Sequence, residues 1–186
     1  MKYISTRGGC PPQNFEQVLH SGLAPDGGLF IPQTLPTFSA EQIEAMKSLQ
    51  YADLALEIVT PFVDGEIPTS QLKKVIDESY AAFKHPEVAP LTRLSEHEYL
   101  LELYHGPTLA FKDFALQVLG RLLDHVLRKN DQRVVILGAT SGDTGSAALE
   151  GCRHSERAAL YVLHPYHRVS AVQRKQRATV PADTVF

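Results

Sequence analysis

Apolar residues recur every three or four positions in three segments of the first half of the chain, and this spacing predicts amphipathic helices. The predicted helices cover residues 40–49, 51–63 and 70–83. Ser39 followed by Gln42 forms a capping-box pattern just before the first of these helices. Proline and glycine clusters separate the segments, as turns require. We therefore predict a helical N-terminal region over residues 1–90.

After residue 90, short apolar runs of strand length alternate with helical segments. The predicted strands cover residues 99–104, 133–137 and 158–163, and the predicted helices cover residues 111–128 and 144–152. The run at 133–137 is rich in β-branched residues and is typical of a buried strand. This alternation predicts a parallel sheet of three strands with right-handed crossovers. The fold class is therefore α/β, with a partial α/β domain over residues 91–186.

The composition indicates an ordinary globular protein and excludes several function classes. The 186 residues include 18 Lys and Arg against 21 Asp and Glu, which gives a net charge of −3. This balance gives no electrostatic reason to bind nucleic acid or an anionic membrane. The N-terminus has no apolar run of signal-peptide length, and no stretch approaches the roughly 20 apolar residues that span a bilayer. We expect a cytoplasmic protein without nucleic-acid or membrane partners.

Cysteine and histidine usage gives no indication of a metal site. Cys10 and Cys152 lie far apart and form no CxxC spacing, so we expect two reduced, partly buried thiols. The eight histidines are scattered along the chain without a HExxH context. We therefore predict no metal.

A first candidate site follows the predicted strand at 99–104 and has the sequence HGPTLAFKD over residues 105–113. Lys112 falls in the first turn of a predicted helix, where the helix dipole disfavours a cation, so helix stability alone does not favour lysine there. A neutral lysine amine is the nucleophile that forms a Schiff base with an aldehyde. Asp113 opposes this unless its carboxylate points elsewhere or accepts from the helix N–H groups. From the residues alone, a surface lysine beside an N-terminal acid stays open.

A second candidate site follows the strand at 133–137 and has the sequence GATSGDTGS over residues 138–146. It lacks the GxxxxGK pattern of a phosphate loop, because position 143 is Asp, and it lacks the GxGxxG spacing. Glycines and the free N–H groups of the following helix would form a small pocket suited to a carboxylate or phosphate. A plain strand-to-helix turn with Asp143 as the N-cap is an equal alternative.

Taken together, these segments resemble the threonine synthases, which are pyridoxal-phosphate enzymes of the tryptophan-synthase-β-like fold (fold type II). The sequences YISTRG at 3–8 and GLAPDGGLFIP at 22–32 also resemble that family's N-terminal segment, as does the stretch at 169–173. The resemblance runs in order from the start to about residue 178. It implies a helical N-terminal segment followed by the start of a parallel three-layer α/β/α domain, truncated within that domain.

The resemblance also implies the chemistry of the site. Lys112 is expected to carry pyridoxal 5'-phosphate through a Schiff base and to act as the catalytic acid and base, with Asp143 near the cofactor's phenolic oxygen. The residues expected to receive the substrate carboxylate are Ser141, Gly142, Asp143, Thr144 and Gly145. The family reaction converts O-phospho-L-homoserine and water to L-threonine and phosphate, as a carbon–oxygen lyase at the last step of threonine biosynthesis.

The chain departs from the family pattern after residue 178. It contains no later glycine-rich segment for the cofactor phosphate and no group for the pyridine nitrogen. We therefore expect a fragment that is inactive alone. Two alternatives stay open: a threonine-synthase-like phospholyase that releases phosphate and a 2-oxo acid, and a non-catalytic remnant that binds a metabolite or a sibling subunit. The sequence does not indicate an oligomeric state.

Overall fold

A computed structural model of the chain describes residues 1–140, 142–165 and 170–178. The chain forms two compact units, one over Met1–Ile76 and one from Asp77 onward. The helices are α1 (Phe15–Ser21), α2 (Ala40–Met46), α3 (Tyr51–Val63), α4 (Thr69–Tyr80), α5 (Asp113–Lys129), α6 (Asp143–Cys152) and α7 (Ala171–Ala178). The strands are β1 (Tyr3–Ser5), β2 (Phe30–Pro32), β3 (Leu91–Arg93), β4 (Tyr99–Leu101), β5 (Val134–Ala139) and β6 (Ala158–Leu163).

The N-terminal unit is mainly helical, as the apolar spacing predicts. The capping box at the start of α2 is confirmed, since the Ser39 N–H donates to Gln42 Oε1 at 2.8 Å and the Gln42 N–H donates to Ser39 Oγ at 3.2 Å. The helix α3 has the predicted bounds, and the residue after it, Asp64, caps it with a left-handed φ of 50°. The buried apolar residues of this unit include Tyr3, Val63, Ile67, Leu72 and Ile76.

A short antiparallel pair of strands, β1 and β2, adds to these helices, with Tyr3 opposite Pro32 and Ser5 opposite Phe30. The hydrophobic pattern did not predict this pair, because three residues are too few to show an alternation. The Asp26 carboxylate holds the loops beside these strands together. It accepts hydrogen bonds from Ser5 Oγ at 2.7 Å, the Gly9 N–H at 2.7 Å and the Gly28 N–H at 2.9 Å. These bonds, led by that from Gly28, lower the pKa of Asp26.

The second unit contains a βαβ arrangement built from β5, α6 and β6. The two strands are parallel, with Val134 opposite Ala158 and Ala139 opposite Leu163. The helix α6 packs on one face of this pair through Leu149 and Cys152, which contact Leu160 of β6. The order of helices and strands from α5 to β6 is confirmed, and every bound lies within two residues of the predicted one.

Two details of the predicted sheet are wrong. The strand predicted at 99–104 is β4, and it pairs antiparallel with β3, so the parallel sheet of the described residues has two strands and not three. The connection between β3 and β4 is short, and a short connection joins antiparallel strands. The strand β5 is also not buried on both sides, because Val135 and Leu137 are 70% and 69% exposed. Among the described elements, α6 covers only one face of the pair.

The helices α5 and α6 approach each other so closely that two positions require glycine. A Cβ atom on Gly120 would collide with the carbonyl oxygen of Gly151, and a Cβ atom on Gly151 would collide with the carbonyl oxygen of Leu116. Both colliding atoms belong to helix backbone, which cannot move without displacing a whole helix. The packing distance of the two helices therefore depends on these glycines.

We predict that Gly120→Ala destabilises the chain by about 1–3 kcal/mol, as overpacking does in other cores. The gain of about 1 kcal/mol that alanine gives in a helix interior does not offset this collision. Gly138→Ala is the matched control, because a Cβ atom there would meet only the Tyr161 carbonyl oxygen at an ordinary 3.9 Å. Urea unfolding followed by circular dichroism measures both changes. Equal stability of Gly120→Ala and wild type would contradict the close packing of α5 and α6.

Candidate functional site

Lys112 lies at the very start of α5, where the sequence predicts it. It is the N-cap residue of that helix, and its carbonyl oxygen accepts the N–H groups of Ala115 at 3.2 Å and Leu116 at 2.9 Å. Its side chain is partly exposed, and its Nζ atom lies 4.9 Å from the centroid of the Phe111 ring. The amine is therefore held at a helix N-terminus beside an apolar ring.

Asp113 is fully buried, and its carboxylate points toward the preceding loop. It accepts hydrogen bonds from the Thr108 N–H and from Thr108 Oγ1, both at 2.8 Å. A Cβ atom at position 106 would collide with this carboxylate, which explains the glycine there. Burial raises the pKa of Asp113, the hydrogen bonds from Thr108 oppose that rise, and the charge of Asp143 adds to it. Asp113 therefore anchors the loop that precedes Lys112.

We call residues 105–112 the Lys112 loop. Within it, Leu109 has a φ of 64°, a left-handed conformation that costs a residue other than glycine roughly 1–2 kcal/mol. The Leu109 N–H donates to the Gly106 carbonyl oxygen at 3.2 Å. The strained residue thus lies between the two ends of a loop that Asp113 holds closed. Strain of this kind persists where surrounding contacts impose it.

The second candidate segment also lies at a helix N-terminus. Gly142 is the N-cap of α6, Asp143 is its first residue, and no side chain caps this helix. The alternative in which Asp143 is the N-cap is therefore wrong. Asp143 and Thr144 are exposed, Gly145 is buried, and a Cβ atom at Gly142 would meet nothing within 4 Å. Ser141, the remaining predicted residue of this segment, lies outside the described residues.

The structure brings the two segments together. The charge of Asp143 contributes to the raised pKa of Asp113, so the first residues of α5 and α6 lie within electrostatic range. Farther along, Gly120 and Gly151 are in contact, so the two helices run in the same direction. The N-termini of α5 and α6, with Lys112 at one of them, therefore lie at the same end of a packed helix pair.

The donor groups at this end suit a ligand that has an aldehyde and an acidic group. Lys112 supplies a primary amine, and the first turn of α6 supplies N–H groups and the positive end of a helix dipole. Ser146, which the sequence analysis did not place in the site, is 3% exposed, and its Oγ has no hydrogen-bond partner in the described part of the chain. A buried polar atom without a partner is rare in native proteins and indicates a missing water or ligand. These residues fit pyridoxal phosphate.

A carboxylate–histidine pair that the sequence motifs do not reveal lies beside the Lys112 loop. His105 Nε2 and Glu102 Oε2 are 2.7 Å apart, and Thr92 Oγ1 donates to Glu102 Oε1 at 2.8 Å. These hydrogen bonds, with a further one from Tyr104, lower the pKa of Glu102 to about 2. The only sequence signal for this pair is that Glu102 and His105 lie three positions apart. A glutamate and a histidine occur at this spacing by chance so often that the spacing alone does not predict a contact.

Over the residues that the structure describes, no cluster of three or more His, Cys, Asp or Glu side chains could hold a metal ion. In the same ranges, none of the helices combines the length and the apolar character needed to cross a membrane. Both cysteines are free thiols, with Cys152 buried and Cys10 partly exposed.

Comparison with known proteins identifies what this architecture is similar to. Residues 2–80 match the family model described as the threonine synthase N terminus. The chain is 56% identical over 185 residues to a threonine synthase of Pseudomonas aeruginosa, in a match that covers 100% of this chain and 39% of that protein. The chain therefore spans well under half of the length of the curated relatives that it matches.

Solved structures agree with the sequence matches. A pyridoxal-phosphate-bound threonine synthase from Brucella melitensis superposes with a TM-score of 0.92 at 47% identity, covering 95% of this chain and 38% of that chain. Yeast threonine synthase superposes with a TM-score of 0.94 at 39% identity, covering 99% and 39%. These findings confirm the resemblance to the N-terminal portion of threonine synthases. They also confirm the predicted fold class, the N-terminal part of a fold type II pyridoxal-phosphate enzyme.

The low pKa of Glu102 predicts a pH-dependent contribution to stability. Because the folded pKa of about 2 lies below the usual 4.5, the unfolded chain binds more protons between these values, and stability falls as the pH falls through them. We expect Glu102→Gln to lose this part of the slope. Urea unfolding midpoints measured from about pH 5 to about pH 2 test it. The raised pKa of Asp113 acts in the opposite direction and is common to both chains, so parallel slopes would contradict the prediction.

Removal of the Thr108 hydroxyl takes one hydrogen bond away from the buried Asp113 carboxylate. We expect Thr108→Val to lower the free energy of unfolding by about 1–3 kcal/mol, the range for the loss of a hydrogen bond to a charged group. The exposed Thr37 provides the control, since Thr37→Val is expected to change stability by less than about 0.5 kcal/mol. Chemical denaturation of the two variants measures the difference. A cost at position 108 no larger than that at position 37 would show that the Asp113 anchor does not hold the loop.

Proposed function

We propose that this chain, which corresponds over its whole length to the N-terminal portion of threonine synthases, serves the conversion of O-phospho-L-homoserine and water to L-threonine and phosphate. The observation that carries the proposal is the placement of Lys112 at the N-terminus of α5 beside the N-terminus of α6. A lysine amine and an anion-binding helix end are the two groups that this chemistry requires from this part of the enzyme. The matched proteins from Pseudomonas aeruginosa and yeast are named threonine synthase, which supports this activity.

In this proposal Lys112 is the catalytic residue. Its amine would hold pyridoxal phosphate, and as a free amine it would accept and return protons at Cα and Cβ of the substrate. The cofactor supplies an electron sink that stabilises negative charge at these carbons. The apolar Phe111 ring, 4.9 Å from Nζ, limits the hydration of the amine on one side.

The first turn of α6 binds the substrate carboxylate in this proposal. The main-chain N–H groups in the first turn of α6 and the positive end of its helix dipole attract an anion. Gly142 has open space beside it, so a ligand can approach the backbone closely. Asp143 is exposed at the same end, where it can face the phenolic oxygen of the cofactor. The buried hydroxyl of Ser146, in the same turn, adds a hydrogen-bond donor.

These residues supply only part of a complete site. No second glycine-rich segment, of the kind that would hold the cofactor phosphate, follows residues 138–146 in this sequence. We therefore expect the isolated chain to form no threonine.

The free thiols of Cys10 and Cys152 fit a reducing, cytoplasmic compartment.

A chimera tests the proposed function directly. Residues 1–186 replace the aligned segment of the Pseudomonas aeruginosa threonine synthase, which is 56% identical to them. We expect the purified chimera to form threonine and phosphate from O-phosphohomoserine, and Lys112→Ala to lower kcat by roughly 10³-fold or more, as loss of a catalytic nucleophile does. Lys84→Ala is the control lysine substitution and is expected to retain activity.

Product analysis separates this function from the alternatives. Release of phosphate with a 2-oxo acid in place of threonine would support a phospholyase. A folded chimera that forms neither product would contradict both reactions and favour a non-catalytic remnant. Threonine formation by the isolated 186-residue chain would show that the missing cofactor contacts are not required.

A further inference from the structure

The pair formed by Glu102 and His105 has no role in the chemistry described so far, yet its side chains are largely buried and hydrogen-bonded. Both side chains are largely buried, at 17% and 18% exposure. The Glu102 carboxylate uses one oxygen for Thr92 Oγ1 and the other for His105 Nε2. The His105 ring also packs against the rings of Tyr104 and His85, with centroid distances of 4.7 and 4.9 Å. The imidazole is therefore fixed by contacts to its ring and to its Nε2 atom.

The chemistry of the carboxylate determines the form of this imidazole. An ionised carboxylate only accepts hydrogen bonds, so the Nε2 atom at 2.7 Å must carry a proton. In a neutral imidazole this leaves Nδ1 without a proton, because one ring nitrogen donates and the other accepts. Glu102 thus selects one of the two tautomers of His105, as carboxylates do for histidines at many functional sites.

The backbone connects this pair to the lysine. The His105 carbonyl oxygen accepts the Lys84 N–H at 2.9 Å, which fixes the main chain at the start of the Lys112 loop. The next residue, Gly106, lies against the Asp113 carboxylate at the other end of the loop. Two carboxylates, Glu102 and Asp113, therefore hold the two ends of the eight-residue segment 105–112, and Lys112 lies at its last position.

We propose that Glu102 and His105 are positioning residues for Lys112: the carboxylate holds the imidazole in its Nε2–H form, and this contact fixes the loop so that the amine projects in one direction at the start of α5. The consequence for catalysis rests on the proposed function. The consequences for the tautomer and for the environment of the amine do not, and they can be measured without a cofactor.

Nitrogen NMR of the isolated chain tests the tautomer. We expect the neutral His105 ring of the wild-type chain to give the signals of the Nε2–H form. Glu102→Gln presents both a carbonyl oxygen and an amide NH₂ to the ring, so we expect a mixture of both tautomers. The exposed Glu98 provides the charge-matched control, and Glu98→Gln is expected to leave His105 unchanged. A wild-type ring in the Nδ1–H form, or an unchanged ring in Glu102→Gln, would overturn the proposal.

Reductive methylation with ¹³C-formaldehyde adds labelled methyl groups to the Lys112 amine. Their NMR signal reports the environment of the amine independently of the His105 tautomer. The amide nitrogen of glutamine can take the place of Nε2, whereas that of asparagine takes the place of Nδ1. We therefore expect His105→Gln to keep the wild-type Lys112 methyl signal, and His105→Asn and Glu102→Gln to change it. Circular dichroism confirms that the variants are folded. An identical Lys112 signal in all of these chains would refute the positioning role.

Labelling with pyridoxal phosphate links the positioning to the proposed function. After borohydride reduction and peptide mapping, we expect the wild-type chain to be labelled preferentially at Lys112. We expect Glu102→Gln and His105→Asn to lower the rate at that position about tenfold, the lower end of the range for residues that orient a ligand-binding group. Absence of preference in the wild-type chain would count against the proposed cofactor site, and the methyl signal of Lys112 would still decide the positioning role.

Discussion

The candidate site depends on the close contact between α5 and α6. Gly120 and Gly151 bring the two helix backbones together at a distance that any side chain would prevent. Because the helices also run in the same direction, this contact places their N-termini side by side. Each N-terminus offers partly positive N–H groups, and one of them carries Lys112. In the proposed function, the packing distance between these helices, set far from the reactive atoms, therefore determines whether the Lys112 amine and the first turn of α6 can act on one ligand.

Three carboxylates organise the loops of this chain, and none of them is a predicted catalytic group. Asp26 joins the two N-terminal segments that resemble threonine synthases, Asp113 anchors the end of the Lys112 loop, and Glu102 anchors its start. Hydrogen bonds lower the pKa values of Asp26 and Glu102, whereas burial raises that of Asp113. A carboxylate can accept several hydrogen bonds at once, so it can hold backbone and side-chain donors from different segments. The carboxylates of Glu102 and Asp113, at the two ends of the Lys112 loop, thus have a structural role.

The sheet shows how far the apolar pattern reaches. The pattern located β5 and β6, and it correctly placed helices on either side of β5 in the sequence. It did not show that β4 pairs with β3, because β3 is three residues long and lies beside a turn. It also did not show that Val135 and Leu137 are exposed, since an apolar run has the same appearance whether one or both faces are covered. In most parallel sheets, other elements cover both faces of the strands. This chain spans 39% of the length of its Pseudomonas relative.

The sequence by itself determined the helices α2 to α6, the capping box at Ser39, the fold class and the position of Lys112 at a helix start. These features depend on residues close together in the chain, and the motifs around Lys112 and Gly142 are local as well. Only the tertiary structure decided that the Asp113 carboxylate faces Thr108, that Glu102 pairs with His105, and that α5 and α6 meet through glycines. Each of these contacts depends on where a side chain points and on how closely two backbone segments approach in three dimensions. The order of residue types along the chain shows neither.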